Sequence, residues 1–388
     1  MSKSVPIHIE NSILQWILDT KLKNTSDNDN LQLVKEWLDG SKEPTLSKVE
    51  KLSRQIHVPF GYFLLNEPPE ELPAMAEFRT LKSLKNHNPS DNLLDTISMM
   101  KNVQEWMHDY LIDAGMPELS YVGSQKKQSS MISLTAAFRD IFGIDENWMK
   151  GLTNCAKAFN EIKRVCTSHG ILVFMNGIVG SNTRRKLNLE EFRAFSMMDA
   201  YAPLIFINVN DSETGRLFSL LHEMCHILMG ENHIFDLELN SVGVPPVETM
   251  CNAVAAEILM PTKSFCKFWK EDHSSDVIEK VKNSTHQFPC SHIAAARKAL
   301  ELHLITRAQY HECEEVFKPN FKNIKKSGGG NYFRTQASHI DHRLLRALQN
   351  SILEGKTSYT EAFHLIRMNR VPFEKLIQHI VSSEGEGA

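Results

Sequence analysis

The chain has 388 residues, with 43 Lys and Arg against 47 Asp and Glu and a formal net charge of −4, the profile of an ordinary soluble protein with room for two or three domains. Nowhere do about 18 apolar residues run uninterrupted, and the N-terminus lacks a basic stretch followed by an apolar one, so no membrane partner and no secretion are expected. Seven scattered cysteines without a Cys-x-x-Cys pair read as reduced thiols of a cytoplasmic protein.

Residues 1–70 alternate helical patches with loops. Ile13-Leu14-x-Trp16-Ile17-Leu18, residues 31–38 and Leu46-x-x-Val49-x-x-Leu52 each give one apolar face. Gly40 closes the second helix, Pro44-Thr45 opens the third, and residues 58–65 make a short apolar turn. Trp37-x-x-Gly40-x-x-x-Pro44-Thr45-Leu46, with Leu52 and Val58-Pro59, resembles the latter part of a phage-repressor (Xre) type helix-turn-helix, which implies DNA as a partner. The match is degenerate where DNA contact matters. Asp27, Asp29, Glu36 and Asp39 stand in place of Arg, Lys or Asn, and residues 1–70 hold eight Lys and Arg against ten Asp and Glu, which repels a polyanion. A helical module for homodimer formation or partner docking is the other reading.

The stretch 68–73, with Pro68, Pro69 and Pro73, reads as a linker. It opens a helical connecting region, 71–150, in which Pro89-Ser90-Asp91 starts a helix running through Ile97, Met100, Val103 and Trp106 to Gly115. Two more helices are expected around 134–141 and 152–166. Strands follow at 170–175, 192–197 and 204–209, short and separated by turn residues, so the expected fold is α+β, mostly helical, with a small, largely antiparallel sheet. Residues 181–186 should be exposed. An edge of this sheet is expected to hold substrate backbone by strand addition.

The chemistry is concentrated in His222-Glu223-x-x-His226. Asp211 or Ser212 can cap the helix that carries it, and Phe218, Leu220, Leu221, Ile227 and Leu228 surround it with apolar side chains. Residues four apart share a helix face, so His222 and His226 can bind one Zn²⁺ while Glu223 reaches a water without being a ligand. A third ligand is required, and two residues compete for the place. His233 and Gly230 each fall one position too late for one zinc-protease pattern. Glu248, one turn into a helix that runs back alongside the first, is the better third ligand.

Together with Glu248-x-x-Cys251-Asn252-x-x-Ala255-Ala256-Glu257-x-Leu259-Met260-Pro261, this motif resembles the ImmA/IrrE family of zinc metallopeptidases, whose members cleave repressor-like regulatory proteins. The resemblance implies a zincin-like peptidase core at 151–265, zinc held by His222, His226 and Glu248, and Glu223 as the catalytic base. It extends to Phe78-Arg79-Thr80 and to proteins in which an Xre-type domain precedes the peptidase. Zinc lowers the pKa of water toward about 7 and polarises the scissile carbonyl. Tyr201, Arg193 and His233 are candidates for a second oxyanion donor. Cys225 and Cys251 lie near the expected metal but read as core thiols.

Beyond Pro261, residues 266–320 read as helices in an order similar to a small winged or helix-turn-helix layout, with Ser291 capping one of them and His292 and Arg297 on a solvated face. Ser327-Gly-Gly-Gly330 breaks the chain. Two helix faces follow, at Leu344, Leu345 and Leu348 and at Ala362 and Leu365. From 320 to 380 there are ten Lys and Arg against four Asp and Glu, so 321–388 is a basic helical C-terminal module suited to a polyanion or an acidic partner. The sequence therefore reads as a zinc endopeptidase acting on a repressor-like protein substrate, its modules selecting the target or DNA. The alternative is an antitoxin or transcriptional regulator that binds a cognate toxin or operator DNA and uses the peptidase fold for interaction. An intact Glu223 favours the enzyme.

Overall fold

A computed structural model of the chain describes residues 6–20, 22, 28–56, 58, 60–68, 89–125, 130–152, 154–230, 233–235, 246–317, 339–367, 370 and 373–376, with backbone alone at 28, 54, 233–235 and 246. Residues 69–73 of the expected linker, Phe78-Arg79-Thr80 and Ser327-Gly-Gly-Gly330 lie outside this set. The chain divides into two units, Met1–Ala76 and Glu77–Ala388.

The first unit holds α1 (Asn11–Thr20), α2 (Asn28–Leu38), α3 (Leu46–Gln55) and a 3-10 turn, Phe60–Leu64. Spacings of three and four residues bring Ile13, Leu14, Ile17, Val34, Trp37, Val49 and Leu52 into one core with Phe63. The entry to α3 is tied to the N-terminus by a bridge between Pro6 and Thr45. On α2, Glu36 pairs with Lys42 at 2.7 Å.

The second unit begins with α4 (Asp91–Asp113), α5 (Met131–Phe142) and α6 (Cys155–Ser168). Ser90 and Asn154 cap α4 and α6 by accepting from the backbone N–H of Leu93 and Lys157. Six strands follow: β1 (Leu172–Asn176), β2 (Ile178–Val179), β3 (Asn182–Lys186), β4 (Ala194–Met197), β5 (Leu204–Asn208) and, after helix α7 (Glu213–Met229), β6 (His233–Phe235). The main sheet has the order β1-β5-β4-β6. β4 runs antiparallel to both neighbours, while β1 and β5 are parallel. β2 and β3 form a separate hairpin, and the stretch expected to be exposed is its second strand, exposed along most of its length. Its Arg185 reaches Asp95 at 2.7 Å.

Alternate side chains of the main sheet enter two cores. Val173, Met175, Ala194, Ile205 and Ile207 pack with α5, α6, α7 and α8 (Pro246–Leu259). Leu172, Phe174, Phe195, Met197, Leu204 and Phe206 pack with α4 and with α13 (His342–Leu353) and α14 (Tyr359–Ile366). Both faces are covered, which is why these strands read as unbroken apolar runs rather than as alternating ones.

α9 (Thr262–Glu271), α10 (Val277–Gln287), α11 (His292–Glu301) and α12 (Arg307–Val316) extend the first core through Phe265, Val281, Ala295, Ala299 and Cys313. The helices expected between 266 and 320 are present, and no strand, hence no wing, occurs between 262 and 317. Thr306 and Gln309 form a reciprocal capping box that launches α12.

Side chains then tie the layers together. Gln104 of α4 donates to the carbonyls of Met197 and Ala202, both at 2.9 Å. Asp341 caps α13 and accepts the Val173 N–H of edge strand β1 at 3.0 Å. Stretches that composition separates at about 150, 265 and 320 thus share cores within one unit.

At the end of α8, the Glu257 carboxylate accepts from Thr262 N–H at 2.9 Å, Thr262 Oγ1 at 2.6 Å and Lys298 Nζ at 2.6 Å. Burial pushes this carboxyl up, but the hydrogen bonds from Lys298 and Thr262 outweigh it and hold the group below its ordinary 4.5. Its stabilising contribution is therefore present above the ordinary value and is lost as pH falls through the lower folded one. Glu257→Gln should cost about 1–3 kcal/mol at neutral pH. In urea unfolding the gap to wild type should shrink as pH is lowered below the ordinary carboxylate value; a gap that stays constant would mean the charge contributes nothing.

Candidate metal centre

The register of α7 is set at both of its ends. Of the two expected caps, Ser212 does the capping, accepting from the Gly215 N–H, while Asp211 accepts from the Ser212 N–H at 2.7 Å and binds Arg193 at 2.8 Å. At the other end Gly230 takes φ +71 and returns its N–H to the His226 carbonyl at 2.8 Å. The carbonyls of Ile227 and Leu228, which a helix end leaves without intrahelical donors, accept from the N–H groups of Gly123 and Gln125 at 2.9 Å each. Gly230 is thus a left-handed cap, and this is why it stands where it does.

Between these ends Leu217, Leu220, Leu221, Met224, Ile227 and Leu228 are buried, and so are the polar residues: His222 and Glu223 are 0 % exposed and His226 is 1 % exposed. His222 Nε2 and His226 Nε2 face each other at 3.0 Å. Glu248, in the first turn of α8, places Oε2 3.4 Å from His222 Nε2 and Oε1 3.3 Å from His226 Nε2. Ligands about 2.0–2.1 Å from a tetrahedral cation stand roughly 3.3 Å apart. The three separations match the edges of such a site, and the donor set, two imidazoles and a carboxylate, suits a divalent metal. The Glu248 side chain keeps 19 % exposure, so the group is reachable from solvent.

Glu223 Oε2 accepts a hydrogen bond from Ser196 Oγ at 2.6 Å. Ser196 is fully buried on β4 and lies on the same sheet face as Ala194. Sequence reasoning missed it, and the available signal was small: one hydroxyl between Phe195 and Met197 at an inward strand position.

The backbone of His233 pairs with Ser196 in β6, but its side chain is outside the described residues. The two other residues considered as oxyanion donors are placed elsewhere. Tyr201 packs against the opposite core, edge-on to His108 with ring centroids 5.1 Å apart and 3.4 Å from Glu118 Oε1, and Arg193 is held by Asp211. Cys225 and Cys251 are buried. A hydrogen bond with Cys225, and then burial, raises the Cys251 thiol well above its ordinary range.

A Cβ added at Gly230 would lie 2.8 Å from the Gly123 Cα, a backbone atom that cannot swing away. Gly230→Ala should therefore lower stability by about 1–3 kcal/mol in chemical unfolding, from left-handed strain and this contact together. An unchanged midpoint would mean that the loop at Gly123 does not hold the helix end.

No curated protein matches the chain. Residues 340–379, which include α13 and α14, match a family described as a domain of unknown function, DUF8813. Residues 166–298, spanning the sheet, the facing imidazoles and Glu248, match the IrrE N-terminal-like domain of peptidase family M78, so this part of the chain is similar to a metallopeptidase-type domain.

Proposed function

We propose that the chain is a zinc-dependent endopeptidase that cleaves a regulatory, repressor-like protein, with residues 1–70 and the basic 321–388 stretch selecting the target. The observation that carries the reading is the convergence of His222, His226 and Glu248 within hydrogen-bond range of one another, beside a carboxylate on the same helix. The choice of substrate class rests on the likeness of 166–298 to IrrE-type domains. Seven free cysteines fit the reducing cytoplasm that such a substrate implies. Among the described residues no helix is long and apolar enough to cross a membrane.

His222 and His226 would hold zinc through Nε2, and Glu248 through its carboxylate. When bound, zinc supplies Lewis acidity toward the scissile carbonyl and toward water. Glu223 takes up the proton that the attacking water gives up and returns it to the leaving amine. The Ser196 hydroxyl, donating to Oε2, fixes the direction of that carboxylate, so the base is aimed before substrate arrives. Substrate backbone is held along β6, the outer strand next to β4, whose far side pairs with no other strand among the described residues.

Glu223→Gln should keep its zinc and lose cleavage by about 10²–10⁴-fold. Glu248→Ala should lose most of its zinc, while Ser196→Ala should retain zinc and KM and lower kcat. The substrate is sought by labelling new N-termini in cells carrying wild type or Glu223→Gln. Identical termini in the two strains would contradict the endopeptidase reading.

A further inference from the structure

A cavity of about 540 Å³ opens between α6, the end of β1, the first turn of α7 and the start of α13, a size suited to a small organic ligand. None of its lining residues belongs to the metal group. Phe159 and Met175 give it an apolar wall, and Lys163, Arg164 and Arg216 give it cations. Arg164 is already engaged by Glu161, with both carboxylate oxygens bonded at 2.6 and 3.1 Å. Among the described residues Arg216 is not engaged in this way, and its Nε is buried without a hydrogen-bond partner.

The surroundings bear the mark of this positive charge. His339 Nδ1 is also buried without a partner; burial first, and then the charges of Lys163 and Arg216, push that imidazole down to about 4. It is neutral at physiological pH and adds no charge of its own. Desolvation lowers the Lys163 ammonium as well, although Asp341 opposes it. The Asp341 oxygens accept from the Val173 and Arg343 N–H groups. Glu213 also lines the cavity and would repel a dianion, so the charge balance suits a single negative charge.

We infer that this cavity binds an amphipathic monocarboxylate, its carboxylate on Arg216 and Lys163 and its apolar body against Phe159 and Met175. Arg216 offers the planar fork that pairs best with a carboxylate. It stands on α7, the helix that also carries His222, and His342 of α13 also lines the cavity. A bound carboxylate would therefore join the peptidase-like domain to the C-terminal helices and stabilise the folded unit by mass action. This inference does not depend on the endopeptidase reading.

The test is calorimetric titration of the full chain with 1-naphthoate, 1-naphthalenemethanol and 1-naphthyl phosphate, with the shift in thermal midpoint measured in parallel. Naphthoate should bind at one site and raise the midpoint, and the alcohol and the phosphate should bind at least about tenfold more weakly. Arg216→Gln should weaken naphthoate about tenfold or more, and Asn160→Trp, at the exposed rim, should block it. Should Arg216→Gln fail to fold, the three wild-type titrations and Asn160→Trp decide the question. No naphthoate binding at millimolar concentration, equal binding of the alcohol, or undiminished binding in Asn160→Trp would overturn the proposal.

Discussion

Two imidazoles and a carboxylate buried in the apolar middle of one helix would cost several kcal/mol if left to themselves, and the unit 77–388 is arranged so that they are not. Glu248 turns both of its oxygens toward the two imidazoles, and Ser196 turns its hydroxyl toward Glu223. Such a constellation tolerates little slippage. A shift of one residue in α7 would turn His222 and His226 about 100° away from α8. The capping of this helix at Ser212, and the joint capping at Gly230 by its own N–H and by the loop at Gly123 and Gln125, therefore serves the site as much as the fold.

The sheet has a comparable double duty. One face supplies Ser196 and the apolar bed of α7, and the other is covered by α4, α13 and α14. Asp341 closes the edge at β1 from the C-terminal side, so the stretch that matches a family of unknown function is built into the same layered body as the metal group. A ligand or partner acting on α13 would need no long relay to reach the helix that carries His222 and His226, since the cavity at Arg216 and His342 already touches both.

Local rules made much of this visible beforehand. His222 and His226 stand at helical spacing, Ser90, Ser212 and Ser291 occupy the cap positions that their chemistry favours, and the β-branched run at β5 reads as a strand. Glu248 was legible because a lone carboxylate among small apolar neighbours needs a reason. What stayed hidden depends on partners distant in sequence. Ser196 acquires meaning only against Glu223, 27 residues away. β6 exists as a strand only because the chain after Gly230 returns to β4. The parallel pairing of β1 with β5 cannot be told from an antiparallel one in two apolar runs.

The most direct test of the central claim is X-ray absorption at the zinc edge of the metal-loaded full chain. Two imidazole shells with oxygen or nitrogen neighbours at about 2.0–2.2 Å and no sulfur are predicted from His222, His226 and Glu248. A third imidazole, or a sulfur shell near 2.3 Å from Cys225 or Cys251, would contradict the assignment of Glu248 and with it the account of the site.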